Sequence, residues 1–137
     1  RSADRTPAAE TDWAEALSGI HGLDTARGLR MVRGKWPTYL RILRLFVDSH
    51  ADVVERLRAA LDAGDLGELE RLAHALKGAA GNVGAGGVFD LAAAICNDVR
   101  AGWDAAALER PLAGLVRQLQ PLLLALRQCL PDGEKRR

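Results

Sequence analysis

His74 sits in the middle of a helix-forming run, with Lys77, Gly78 and Gly81 at i+3, i+4 and i+7. Those spacings place the four residues on one strip of a helix surface. The apolar stripe of the same run is Leu66, Leu69, Ala73, Leu76, Ala80 and Val83, in steps of 3, 4, 3, 4 and 3. With 3.6 residues per turn, His74 lies about 120° from the centre of that stripe, so its imidazole is expected to face solvent. Two glycines inside a helix cost about 1 kcal/mol each relative to alanine. A run that obeys every other local rule breaks this one beside a single histidine, which is where a functional site is expected.

The chemistry follows from the residue types. A histidine titrates near neutrality, so a free ring nitrogen is available as a nucleophile. Lys77, one turn away, can offset negative charge arriving at the ring. With no side chains at Gly78 and Gly81, a partner can bring its own reactive group against the imidazole. Nucleophile, cation and open approach suit phosphoryl transfer to nitrogen, which depends mainly on positioning and charge stabilisation.

Length and composition fit such a site on a helical scaffold. The chain has 137 residues, enough for one domain with its own core. Ala and Leu make up about a third of it, which favours helix almost throughout. The formal net charge of +1 argues against nucleic-acid binding through a broad basic face. The richest apolar stretch, Leu122 to Leu126, is far short of the ~20 residues a membrane helix needs. Cys96 and Cys129 form no CxxC pair, so two buried free thiols in a reducing, cytoplasmic setting are expected, with no metal site. The chain opens on Arg1-Ser2-Ala3-Asp4 and reads as a piece of something longer.

Positioning falls to a series of helices. Residues 1–10 read as a flexible lead-in, 11–132 as the folded unit and 133–137 as a solvated charged tail. Short helices are expected over Trp13–Leu17 and from the N-cap Asp24 to about Val32. Pro37 suits the first turn of one long helix reaching Ala63, with His50 on its apolar stripe. Gly64 ends that helix, and Asp65 with Glu68 forms a capping box for the helix that carries His74. Gly84 reads equally as a helix stop or as part of the site. A further helix spans Val88–Ala101 with Leu91, Ile95 and Val99 inward. The last begins at Asp104, carries Leu108, Leu112, Leu115, Leu119, Leu122, Leu126 and Leu130, and is expected to kink or restart at Pro111 and Pro121. Four long amphipathic helices with short connections make an all-α antiparallel four-helix bundle. Trp36 and Trp103 are expected to plug its ends, and Leu72 or Phe89 could serve core or docking patch.

The run His74-Ala75-Leu76-Lys77-Gly78-Ala79-Ala80-Gly81-Asn82-Val83-Gly84-Ala85 resembles the signature of histidine phosphotransfer (HPt) domains, H-x-L-K-G-x-[SA]-x-x-[LIV]-G-A. The resemblance implies a four-helix bundle that accepts a phosphoryl group on His74 from a receiver-domain aspartate and passes it to another receiver. It gives Lys77 the task of neutralising that group and Gly78 that of keeping the histidine accessible. It implies a two-component phosphorelay shuttle, not a kinase, with no cofactor of its own and a magnesium ion on the partner receiver. Many relatives end hybrid sensor kinases, so a parent chain tethered to a membrane is compatible with it. The chain has no GxxxxGK[ST] run or kinase glycine box. Two other readings stand beside it. One is an unphosphorylated module that binds a receiver or dimerises. The other is a metal- or haem-holding bundle, for which Glu70 and His74 give ExxxH and not the Glu-x-x-His pairs such sites use.

Overall fold

The computed structural model describes residues 13–130; the expected lead-in and charged tail lie outside the described residues. Residues 13–18 (α1) are helical, followed by α2 (Thr25–Met31), α3 (Trp36–Ser49), α4 (Val53–Asp62), α5 (Leu66–Val83), α6 (Gly86–Arg100) and α7 (Ala105–Cys129). The consecutive helices α3 and α4 both pack on α5 and α7, and together they form one arm of a bundle completed by α5, α6 and α7. Each arm packs on its neighbours, with α2 laid across α3 and α5.

The helix starts follow side-chain chemistry. Asp24, Asp65 and Asp104 each accept a hydrogen bond from a backbone amide three residues on, at 3.0, 3.1 and 2.9 Å. The capping box at Asp65 is only half made. Glu68 turns its carboxylate to Arg71 instead of reaching back, and the Asp65 amide bonds to the Ala60 carbonyl. That Arg71 fork, with the Arg56 charge beyond it, holds the Glu68 carboxyl below the usual carboxylate range.

The long helix expected from Pro37 to Ala63 is two helices, α3 and α4. The chain leaves α-geometry at His50, whose Nδ1 donates to the Phe46 carbonyl at 2.8 Å and whose ring lies on that of Phe46. Val53 then bonds back to the His50 carbonyl, a single tightened turn. Phe46, Val47, His50, Val53 and Leu57 consequently stay on the buried side, and the apolar period carries no sign of the break. His50 is buried, as its place on the stripe suggests.

Three other expectations are corrected. The helix α7 does not restart at Pro111 or Pro121 but is one element from Ala105 to Cys129. Pro121 is exposed and Pro111 half-buried at the margin of the leucine face, and the residues four before them, Ala107 and Arg117, whose carbonyls lose their helical partner, are exposed. The buried face of α6 is Val88, Ala92, Ile95 and Cys96, with Leu91 and Val99 half-buried at its margins. Turning small residues inward lets α6 lie close to α5, and Cys96 Sγ reaches the Glu70 carbonyl at 3.7 Å. Trp103 is exposed at the α6–α7 turn, whereas Trp36 is half-buried and tilted against Tyr39.

The core holds Leu43, Leu57, Leu61, Leu69, Leu76, Ile95 and the α7 leucines other than the exposed Leu124, all but sealed from water. Tyr39 also belongs to it. Its ring lies over Gly28, where a Cβ would collide with it, and its hydroxyl donates to the Val83 carbonyl at 2.8 Å. That bond ties α3 to the end of the helix bearing His74.

Candidate functional site

His74 is exposed in the middle of α5, with Ala73 and Leu76 beside it wholly buried. Two kinds of restraint fix the helix. The core stripe, Leu69 to Val83, sets its rotation, and the Asp65 cap and Gly84 set its ends. Gly84 has φ +88° and closes α5 in the left-handed conformation, so the stop reading is the one that holds. Its carbonyl accepts the Asp24 amide at 2.8 Å, locking α2 onto the α5 terminus.

The glycines of the strip differ from one another. A Cβ at Gly78 would meet nothing within 4 Å, so this position is open surface next to the imidazole. Gly81 instead lies under the Phe89 ring of α6, where a Cβ would stand 3.3 Å from the ring edge. Phe89 is itself partly exposed, so the strip continues as an aromatic surface past Gly78. Lys77 is half-buried at the flank facing α6. Burial pushes the Cys96 thiol up and the Lys77 charge opposes it, which puts that charge in reach of α6. Leu72 is buried, leaving Phe89 as the surface member of that pair. Cys129 is half-buried and, like Cys96, a free thiol.

Two features of the surface, one at His74 and one further along α5, were not evident in the sequence. The first is a cleft of about 250 Å³ lined by Gly67, Glu70, Arg71, His74 and Arg100. Glu70, at i−4 from His74, is already part of the ExxxH reading, and Arg71, at i−3, follows from the same helical spacing. Arg100 arrives from the last turn of α6, through the antiparallel α5–α6 pairing, and forms an ion pair with Glu70. The second is an apolar groove of about 370 Å³ between α2, α3 and α5, lined by Met31, Ile42, Leu45, Phe46, Ala79 and Val83 among others. Met31 and Leu45 are 57% and 56% exposed, high for large apolar side chains on a small bundle. Its α5 wall begins at Ala79, one residue past Gly78. Leu45, an apolar residue off the Leu43, Phe46 and Val47 face of α3, is a signal in the sequence that could have found the groove.

Among the described residues no three His, Cys, Asp or Glu side chains come together as a metal site would require. No helix among them is long and apolar enough to cross a membrane.

A histidine held outward on a four-helix bundle, with a lysine one turn on and a bare glycine directly after it, is the arrangement that phosphoryl transfer to nitrogen would need. The sequence pattern of the Hpt domain matches residues 41–130, and the chain belongs to that family. Its fold is similar to that of the HPT domain from a sensor hybrid histidine kinase of Shewanella. The TM-score is 0.74 at 24% sequence identity, over 80% of this chain and 93% of that one. No match is found among curated proteins. Hpt domains are phosphotransfer modules of two-component phosphorelays, not enzymes of the usual kind, and interact with receiver domains.

Proposed function

We propose that this domain is a phosphorelay shuttle in which His74 takes a phosphoryl group from the phosphoaspartate of one receiver and yields it to the aspartate of another. The observation that carries this reading is the pairing of an exposed His74 with unobstructed space at Gly78. A receiver covering that space can bring its acyl phosphate against the ring without displacing any side chain.

In the forward step the lone pair of His74 Nε2 attacks phosphorus in line. The phosphorus–oxygen bond breaks, the aspartate departs as its carboxylate, and the imidazole proton stays on Nδ1. Lys77 steadies the charge on the transferred oxygens. The return step is the same path reversed toward a second receiver. The domain brings no nucleotide or cofactor, and the metal ion such receivers use stays with them. The Met31–Leu45 groove, next to Gly78, supplies the apolar contact that holds a receiver in place during transfer. A module at the end of a hybrid kinase and a free-standing shuttle would both work in this way.

The experiment is to mix the domain with a panel of receiver domains charged with labelled phosphate. Label that moves to the chain and is acid-labile and alkali-stable, as a phosphoramidate is, supports the shuttle. A domain that binds one of the receivers without ever acquiring label supports an interaction module that uses the same groove.

A further inference from the structure

The cleft at His74 holds a cation that the phosphotransfer signature does not include. Arg100 reaches across from α6 to Glu70, and Glu70 lies one helical turn before His74 on the same strip. The guanidinium is thus anchored within a turn of the imidazole, on the rim of the cleft, with its side chain 58% exposed. Glu70 is the more covered partner, at 27%. Arg71, on the other wall, is already held by Glu68 through both ends of its fork.

We propose that Arg100 is a second phosphoryl ligand, held by Glu70 while His74 is bare and released onto the phosphoryl oxygens once His74 carries the group. This rests on the shuttle reading above. A phosphoryl group on Nε2 places nearly two negative charges beside the Glu70 carboxylate, so the two acceptors compete for one guanidinium. The phosphoryl, with more charge and three acceptor oxygens in reach of a planar fork, is the stronger competitor. Glu70 therefore tunes how tightly the histidine keeps its load. It parks Arg100 when the site is empty and weakens its hold enough for the group to move on.

Two measurements test this, using a receiver that labels the wild type and is itself charged with acetyl phosphate. The first is the equilibrium share of label on the domain against the receiver. Arg100→Gln is expected to lower the histidine's share about five- to tenfold, the worth of one charge-assisted contact at a partly exposed site. Glu70→Gln should raise it about two- to threefold, since Arg100 is then uncontested. The double variant should behave like Arg100→Gln, and Arg100→Lys should recover part of the loss. The second is the Arg100 Nε–H resonance, which should move when phosphoramidate, a small-molecule donor, phosphorylates His74. An unchanged share in Arg100→Gln would overturn the proposal. So would a double variant restored to the wild-type share, which would mean that Arg100 only cancels the Glu70 charge. Circular dichroism checks that each variant is folded. A wild type that takes no label from any donor would instead count against the shuttle itself.

Discussion

The backbone of Asp24 and that of Gly84 are in direct contact. The Asp24 amide donates to the Gly84 carbonyl at 2.8 Å, and the Asp24 carbonyl occupies the space a Gly84 Cβ would need. The residue that caps the start of α2 thereby also closes the end of the helix presenting His74. Replacing Gly84 with Ala would put a side chain both into a left-handed backbone position and into that carbonyl. The two penalties together predict a loss of roughly 2–5 kcal/mol, read as a lower midpoint in urea unfolding.

At Gly78 stability and function are expected to move in opposite directions. A Cβ there meets nothing. Gly78→Ala should therefore stabilise the isolated domain by about 0.5–1 kcal/mol through helix propensity, raising Tm by a few degrees. A bulkier Gly78→Leu should fold equally well yet slow transfer from a receiver by at least about tenfold, because its side chain stands where the partner's reactive group must come. Thermal unfolding and transfer kinetics on the same samples check both halves.

Lys77 is predicted to act on rate more than on fold. It lies half-buried at the flank of α5 and takes no part in the core. Lys77→Ala is expected to slow phosphorylation of His74 about tenfold, the effect of removing one cation from a charged transition state. Receiver binding, measured by calorimetry with an uncharged receiver, should be nearly unchanged.

Tyr39 gives the fold an alkaline limit. Burial, aided by the Asp24 charge, holds its phenol above the usual tyrosine range. A group whose proton is bound more tightly when folded contributes its full stability below the unfolded-state value of about 10 and loses it as pH rises beyond that point. Unfolding free energy should accordingly fall above about pH 10. Tyr39→Phe should lose about 1 kcal/mol at neutral pH, through the missing bond to the Val83 carbonyl, and show a shallower alkaline decline.

Much of this architecture is legible in the sequence because it is local. The α5 stripe fixes which way His74 points, and the aspartate caps and Gly84 fix where that helix begins and ends. The break at His50 is not legible, since one tightened turn leaves the apolar period in step. Proline in α7 suggests a restart that does not occur, because the carbonyls left without a helical partner belong to the exposed residues Ala107 and Arg117. The site divides in the same way. Lys77 and Gly78 follow from helical spacing, whereas Phe89 over Gly81 and Arg100 at Glu70 depend on how α6 packs against α5. Their rotation is set by small residues, Ala92 and Cys96, that carry little weight in a hydrophobic pattern.

The central claim is that His74 itself carries the phosphoryl group. The most direct measurement compares the wild type with His74→Gln, each incubated with the same phosphorylated receivers and followed for acid-labile, alkali-stable label. His74 is exposed, so the substitution should leave the bundle folded, as circular dichroism can verify. The predicted result is label on the wild type and none on the variant. Equal labelling of the two, or a wild type that binds receivers without ever being labelled, would contradict it.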